Sequence, residues 1–78
     1  MGITAYVLIQ TEVGRAEKVA TAARQISGVI AADNVAGPYD VIVKATSESL
    51  DDLGRLVVSE IQKVEGITRT FKIGRAHV

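Results

Sequence analysis

The segments Ile26-Ser27-Gly28-Val29 and Val64-Glu65-Gly66-Ile67 repeat one pattern at two places in the chain. Each consists of an apolar residue that ends a helical pattern, a glycine, and the first residue of a β-branched run. Glycine readily adopts the left-handed conformation that ends many helices, so each segment is typical of a helix-to-strand connection. Two such connections indicate that a strand-helix-strand unit is duplicated in this chain.

The residues around these connections predict four strands and two helices. β-branched and aromatic residues predict strands at residues 3–10, 29–36, 40–46 and 67–72. Apolar residues at helical spacing predict helices at residues 15–26 and from Ser47 or Ser49 to about residue 64. Gly37, Pro38 and Tyr39 predict a tight turn between the second and third strands, because proline fixes φ and glycine tolerates positive φ.

The element order is therefore βαββαβ. Because strand-helix-strand crossovers are right-handed, the two halves interlock into a four-stranded antiparallel sheet with both helices on one face, which is the ferredoxin-like α+β fold. Alternation along the strands places Tyr6, Leu8 and Ile42 on the face without helices. An apolar face of this kind predicts sheet-on-sheet packing with a second copy, a dimeric α+β barrel. The alternative is a monomer with scattered apolar residues on its surface.

The composition excludes several classes of partner and site. Nine Lys and Arg residues balance nine Asp and Glu residues without a basic cluster, so direct binding to nucleic acid is not expected. The chain has no cysteine and one histidine, which excludes disulfides and thiolate metal sites and predicts no metal centre. The longest apolar run, residues 5–9, is far shorter than the ~20 residues that span a bilayer, so we expect a cytoplasmic protein that does not bind membranes.

The turn Gly37-Pro38-Tyr39-Asp40 is the strongest candidate for a small-molecule site. Catalytic, phosphate-binding and dinucleotide-binding motifs do not occur, so neither catalysis nor a bound cofactor is expected. Backbone N–H groups of the turn would bind a carboxylate, the Asp40 carboxylate would bind an ammonium group, and Tyr39 would form an apolar wall with a hydroxyl tip. Thr68 and Thr70 share a face of the last strand and are expected to line the same hollow, although β propensity explains them equally well. In the alternative interpretation Asp40 only closes an Asx-type turn and Tyr39 packs on a neighbouring subunit.

A resemblance to a known family covers about residues 3–72. The segment Val35-Ala36-Gly37-Pro38-Tyr39-Asp40-Val41-Ile42-Val43, with the two repeated segments and Thr68-Arg69-Thr70, resembles the effector-binding domain, or RAM domain, of the Lrp/AsnC family of transcriptional regulators. The resemblance implies a domain that dimerises through its sheets, assembles into rings, and binds amino acids or related metabolites between subunits near the turn, without catalysis. Gly37, Tyr39, Asp40 and Thr70 match the family pattern, whereas Pro38 stands where many members have an acidic residue that helps to hold an amino group.

The resemblance also implies partners. These are a second copy, further copies in higher oligomers, an amino acid or metabolite effector, and a full-length Lrp/AsnC regulator. Full-length members carry an N-terminal helix-turn-helix, and because this chain starts two residues before the first predicted strand, we expect a stand-alone form that does not itself bind DNA.

Two other functions remain open at this stage. One is an oligomerisation module without a ligand. The other is a small enzyme, either an acylphosphatase-like hydrolase or a dimeric α+β-barrel oxygenase. The hydrolase needs an arginine-bearing phosphate loop where this chain has Thr11-Glu12-Val13-Gly14-Arg15, and the oxygenase needs more aromatic lining than three aromatic residues provide.

The last six residues, 73–78, do not continue the predicted strand pattern, so the domain is expected to comprise residues 1–72. The codons ATC GGA AGA GCA CAC GTC would encode this tail and resemble the opening of a common sequencing adapter, so one interpretation is a read-through artefact. The other interpretation is an ordinary frayed C-terminus. On both interpretations His77 is a poor candidate for catalysis or metal binding.

Overall fold

Residues 2–75 fold into four strands and two helices in the predicted order βαββαβ. The computed structural model describes the backbone of residues 2–75 and the side chains of residues 2–71. The strands are β1 (Ile3–Thr11), β2 (Val29–Asn34), β3 (Val41–Ser47) and β4 (Ile67–Arg75). Helix α1 spans Ala16–Arg24, and helix α2 spans residues 50–61. Neither helix has the length and apolar character needed to cross a bilayer.

The strands form one antiparallel sheet in the order β2-β3-β1-β4. This order places β1 and β3 in the centre and confirms the ferredoxin-like α+β fold. Alternate residues of the two central strands are fully buried on one face, where they pack against both helices. The core on this face consists of Ala5, Val7, Ile9, Val41, Val43 and Ala45 from the central strands and Val19, Ala20, Ala23, Leu53, Val57 and Ile61 from the helices.

Helix α2 contains a π-helical segment that the periodicity did not predict. The helix begins as predicted after Ser49, whose hydroxyl oxygen accepts a hydrogen bond of 3.1 Å from the backbone N–H of Asp52. Leu53–Val58 then forms the π-helical segment, between α-helical turns at Leu50–Asp52 and Ser59–Ile61. The spacing of the apolar residues is compatible with both windings, so the sequence pattern does not distinguish them.

Both helices end earlier than predicted, before residues 26 and 64. After α1, the backbone N–H groups of Gln25 and Ile26 donate to carbonyl oxygens three residues back, at 3.1 Å each. After α2, the N–H of Val64 donates in the same way to the carbonyl oxygen of Ile61 at 3.0 Å. These bonds tighten the last turn into 3₁₀ geometry, which ends the α-helical hydrogen-bond pattern.

The repeated glycines adopt positive φ, as the sequence pattern predicts. The φ angle is 96° at Gly28 and 100° at Gly66. A Cβ at Gly28 would lie 2.8 Å from Cγ2 of Val57 and 3.1 Å from the carbonyl oxygen of Thr46. Position 28 therefore requires glycine both for its backbone conformation and for the close approach of α2 and β3.

Strand β2 is shorter than predicted, because it ends at Asn34 rather than at Ala36. The N–H of Val35 donates to the carbonyl oxygen of Asp40 at 2.9 Å and closes the connecting loop directly after the strand. The turn predicted from Gly37-Pro38-Tyr39 lies inside this loop.

Strand β4 is longer than predicted. It continues to Arg75, because β1 begins at Ile3 and supplies backbone partners beyond Lys72. Ile73 pairs with Tyr6 and Arg75 pairs with Ala5, with a register shift between these two pairs. The expectation that residues 73–75 do not continue the strand is therefore wrong. Residues 76–78, which include His77, lie outside the described residues.

The sheet face opposite the helices is apolar at its centre, and we call it the open face. Tyr6, Leu8 and Ile42 lie on it as predicted, and each side chain is half-buried. The register of β4 adds Phe71, which pairs with Leu8 on the side opposite Ile42. These four side chains form the surface for which packing against a second copy is predicted.

One edge of the sheet is bonded to side chains of α1. Hydrogen-bonded and non-hydrogen-bonded pairs alternate along two antiparallel strands. Val35 and Asp40 form a hydrogen-bonded pair, so Ala32 and Val43, three residues further along, form a non-hydrogen-bonded pair. The backbone carbonyl of Ala32 therefore points away from β3. That carbonyl accepts a hydrogen bond of 2.9 Å from Nε of Arg24. Two residues further along β2, the Asn34 side chain donates to a carboxylate oxygen of Glu17, also on α1, at 3.2 Å.

Candidate functional site

The loop between β2 and β3 places Tyr39 and Asp40 at one end of the sheet. Gly37 has a φ of 140° and a Cβ there would meet open space, so backbone conformation alone requires glycine at this position. The N–H of Asp40 donates to the carbonyl oxygen of Ile9 at 2.9 Å. The loop is exposed up to Pro38, and Tyr39 and Asp40 are half-buried. The turn therefore holds Asp40 against β1, and the side chains of Tyr39 and Asp40 both remain partly accessible to solvent.

The Asp40 carboxylate ties this loop to the end of β1. Its Oδ2 accepts a hydrogen bond of 2.8 Å from the backbone N–H of Thr11. The pairing of β1 with β3 ends at Ile9 and Val41, so the Thr11 N–H would otherwise lack an acceptor on that side. The bond joins the β2–β3 loop to β1 and is not an Asx-type turn, and it leaves Oδ1 of Asp40 without a donor among the described residues.

The ring of Tyr39 reaches across β1 to the open face of β4. It meets the ring of Phe71 edge-on, with centroids 5.5 Å apart and planes at 67°. The guanidinium carbon of Arg69 lies 5.0 Å from the centroid of the same Phe71 ring. Edge-to-face aromatic pairs and cation–π contacts both stabilise such a cluster. The three side chains bring two aromatic rings and a positive charge together beside the turn.

Gln10 lies between the turn and this cluster. Its side-chain Nε2 donates to the carbonyl oxygen of Pro38 at 3.0 Å, and Gln10 pairs with Arg69 across the β1–β4 ladder. Thr68 donates its hydroxyl to the backbone carbonyl of Gln10 at 3.1 Å. Gln10 therefore has the Gly37–Asp40 turn on one side and Arg69 on the other.

Thr68 and Thr70, which are predicted to line one hollow beside the turn, have different surroundings in the structure. A register shift between Gln10 and Thr11 leaves Thr68 without a partner residue in β1, at an exposed position. Thr70 pairs with the buried Ile9, and its hydroxyl accepts a hydrogen bond of 3.2 Å from the side chain of Gln62. Thr70 thus faces the helices, whereas Tyr39 contacts Phe71 on the open face. A role for either threonine in binding stays a prediction.

Three residues beside the turn were not among the predicted site residues. Gln10, Arg69 and Phe71 share the open face with Leu8. Alternation could have indicated that Arg69 and Phe71 share a face, but only the register of β4 against β1 shows that they lie beside the turn.

A separate cleft of about 620 Å³ lies at the other end of the sheet. It is bordered by the end of α1, the end of β3 and the π-helical segment of α2, and Ile26, Gly28, Thr46 and Leu56 are among its lining residues. None of the predicted site residues lines this cleft. The turn and the cleft are therefore independent features of the fold.

The residue pattern and the fold agree with one family. A family model described as the Lrp/AsnC ligand binding domain matches residues 4–72. The chain belongs to the Lrp/AsnC family. The match contains the turn, the four strands up to Lys72 and both helices.

Relatives of this Lrp/AsnC domain include regulators and solved structures. An uncharacterised HTH-type transcriptional regulator of Pyrococcus furiosus is 30% identical over 73 residues, which cover 90% of this chain and 49% of the relative. The crystal structure of TTHA0845 from Thermus thermophilus superposes with a TM-score of 0.87 at 28% identity, covering 97% of this chain and 95% of that one. The crystal structure of FFRP-DM1 gives a TM-score of 0.81 at 31% identity, covering 91% and 95%. The Lrp/AsnC domain thus spans about half the length of the curated regulators it matches and nearly the whole of these two solved chains.

Proposed function

We propose that this Lrp/AsnC domain is a sensing module that binds an amino acid or a related small metabolite beside the turn Gly37–Asp40. The observation that carries the proposal is the position of Asp40. One carboxylate oxygen is held by the Thr11 N–H, and the other, Oδ1, has no donor among the described residues. A carboxylate fixed in this way is suited to bind an ammonium group, because charge-assisted hydrogen bonds are stronger than neutral ones.

The aromatic pair beside Asp40 supports the same proposal. Tyr39 precedes Asp40 in the turn, and its ring meets the ring of Phe71 edge-on and forms an apolar surface with it. Small-molecule sites combine apolar and aromatic walls with a few fixed polar groups. The turn carries the carboxylate and one of the two rings, so it supplies both parts at the end of the sheet.

We further propose that the domain works as a homodimer that assembles into higher oligomers. Tyr6, Leu8, Ile42 and Phe71 form a continuous apolar surface on the open face. Packing of two such faces would remove this surface from water, and apolar burial stabilises association by about 25 cal/mol per Å². Since Tyr39 contacts Phe71, the turn adjoins this surface, and a ligand there would lie close to the second copy.

The proposed output is regulatory. A bound effector changes the assembly of the domain or its contact with a full-length Lrp/AsnC regulator, and the domain neither binds DNA nor catalyses a reaction. The balanced charge of the chain supports the first part of this statement, because direct DNA binding requires a concentrated positive surface.

Calorimetric titration with the proteinogenic L-amino acids tests the ligand. We expect at least one of them to bind the wild-type protein and to bind the Asp40→Asn variant more weakly. A control variant, Thr21→Ala, changes an exposed residue of α1 and should bind like the wild type. No binding to the amino acids, and none to a broader panel of amine-bearing metabolites, would contradict the proposal.

A second candidate is an oligomerisation module without a ligand. The Asp40–Thr11 hydrogen bond favours it, because it gives the carboxylate a structural role that needs no effector. Light scattering coupled to size exclusion separates the two functions. Oligomers whose mass and stability do not respond to any titrated metabolite would favour this second candidate.

A further inference from the structure

The cleft at the end of the sheet opposite the turn is a candidate for a second binding site. We propose that it binds an aliphatic amine that carries no carboxylate, with the ammonium group at Glu60 and the alkyl part against Leu56. This site shares no residue with the turn Gly37–Asp40, so it goes beyond the proposed function and does not depend on it.

The cleft has the size of a small-molecule site and walls from three parts of the chain. Its volume of about 620 Å³ lies within the range of about 300–1,000 Å³ that is usual for ligand pockets. The walls are the α1–β2 connection at residues 25–28, the end of β3 at residues 46–47, and three residues of α2. A Cβ at Gly28 would lie 2.8 Å from Cγ2 of the buried Val57, so α2 and the connection are closely packed beside the cleft.

The wall from α2 has an unusual winding and an exposed apolar side chain. Leu56 and Val57 belong to the π-helical segment Leu53–Val58. Short π-helical segments are rare, and they occur frequently at functional sites. Leu56 is 54% exposed, although it is a large aliphatic residue. Burial of this side chain under the alkyl part of a ligand would stabilise the complex.

The charges around the cleft favour a cation. Glu60 is the only charged side chain among the described residues that line it. Helix α1 ends at Arg24, directly before the lining residue Gln25, and the C-terminal end of a helix carries a partial negative charge. The guanidinium of Arg24 is itself bonded to the carbonyl oxygen of Ala32. A carboxylate in the cleft would therefore lack a positively charged partner in the lining, whereas an ammonium group would have a negative one.

The carboxylate of Glu60 is accessible to a ligand. Glu60 is exposed, and its Oε2 lies 2.9 Å from Nζ of Lys63, which is also exposed. Ion pairs between exposed side chains contribute little to stability. The ammonium group of a ligand can therefore replace that of Lys63 at little cost, and it gains the contact with Leu56 in addition.

Three probes with the same alkyl chain and different charge test the site: n-butylammonium chloride, n-butanol and sodium butyrate. Each is titrated at constant ionic strength into isotope-labelled wild-type protein, and the backbone amide shifts are followed by NMR. We expect butylammonium to shift the amides of Ser27, Gly28 and Leu56 and to reach saturation. Butanol should bind more weakly, because it keeps only the apolar contact, and butyrate should leave these amides unshifted.

Two variants at the ion pair should change the affinity in opposite directions. Glu60→Gln should weaken butylammonium binding by about tenfold or more, which is the usual effect of losing a hydrogen bond between charged groups. Lys63→Gln should strengthen it, because the competing ammonium group is removed. A general loss of structure would not strengthen binding. The matched control Glu65→Gln removes the same charge from an exposed residue outside the cleft and should bind like the wild type.

The contrary outcomes are specific to this site. Equal affinity for butanol and butylammonium would overturn the assignment of a cationic ligand. Butylammonium that shifts only the amides of Tyr39 and Asp40, or that binds Glu60→Gln as tightly as the wild type, would overturn the site at the cleft. The amino-acid function proposed for the turn would stand after either result, because calorimetric titration with amino acids tests it separately.

Discussion

Oδ2 of Asp40 lies 2.8 Å from the backbone nitrogen of Thr11, so a side chain from the β2–β3 loop completes the hydrogen bonding at the end of β1. The same residue therefore supports the fold with one oxygen, and the other oxygen is the one that we propose binds a ligand. Substitutions of Asp40 can therefore change the stability of the fold and the affinity for a ligand to different extents.

Asp40→Ala should lower both stability and affinity, whereas Asp40→Asn should lower mainly affinity. Alanine leaves the Thr11 N–H without an acceptor, which costs about 1–3 kcal/mol for a buried group and less here because the bond is only partly buried. Asparagine keeps a carbonyl oxygen for that N–H and removes the negative charge that binds an ammonium group. Urea unfolding and calorimetry measure the two effects. Equal stability of the alanine variant and the wild type would show that the hydrogen bond contributes little.

Tyr39→Phe and Tyr39→Ala should also differ. Phenylalanine keeps the edge-to-face contact with Phe71, which contributes about 0.5–1.5 kcal/mol beyond the buried area, and alanine removes it. We expect Tyr39→Phe to unfold at the same urea concentration as the wild type and Tyr39→Ala to unfold earlier. Any difference in ligand affinity between wild type and Tyr39→Phe then reports the hydroxyl alone. An early transition in both variants would mean that the hydroxyl, and not the ring, stabilises the turn.

Leu8→Lys should abolish the proposed dimer without unfolding the domain. Leu8 lies between Ile42 and Phe71 at the centre of the open face, and a lysine there would place an unpaired charge in the interface. Light scattering should give the mass of a single chain, with the circular dichroism spectrum retained. The matched control is Leu56→Lys on α2, where the leucine is already 54% exposed. A Leu8→Lys protein with the wild-type mass would locate the interface elsewhere.

Gly28→Ala should destabilise the protein more than Gly14→Ala. Both glycines have positive φ, at 96° and 79°, so alanine costs of order 1–3 kcal/mol of backbone strain at each position. Only at Gly28 would the new Cβ also collide with Val57, at 2.8 Å, whereas Gly14 faces open space. Urea unfolding of the two variants gives the difference. Equal destabilisation would show that α2 shifts to make room for the extra methyl group.

Much of the fold could be predicted because the apolar residues recur with a clear period in the strands and in the helices. Alternation in β1 separates Ala5, Val7 and Ile9 from Tyr6 and Leu8, and the structure confirms both faces. Helical spacing predicts α1 and α2, and the two glycines predict where the chain leaves each helix. The strand faces and the helix ends depend on residues that are close in the sequence, so a single sequence is enough to predict them.

The candidate site was harder to predict from the sequence, because it depends on contacts between residues that are far apart in the chain. The shift between Gln10 and Thr11 sets which residue of β4 lies beside the turn, and no local pattern indicates it. The same shift leaves Thr68 without a partner in β1, whereas Arg69 and Phe71 pair with Gln10 and Leu8 on the open face. The π-helical winding of α2 escaped prediction for another reason, since its apolar spacing suits an ordinary helix equally well.

The bond from Arg24 to the outward carbonyl of Ala32 has a consequence for how these molecules can join. A strand from another molecule that pairs with β2 needs the Ala32 carbonyl as an acceptor and must first displace the Arg24 guanidinium from it. Charged side chains at an edge strand are one way in which proteins prevent edge-to-edge aggregation. Growth by strand addition is thereby disfavoured at that border. The bond thus hinders strand addition at β2, whereas the proposed dimer would form through the open face.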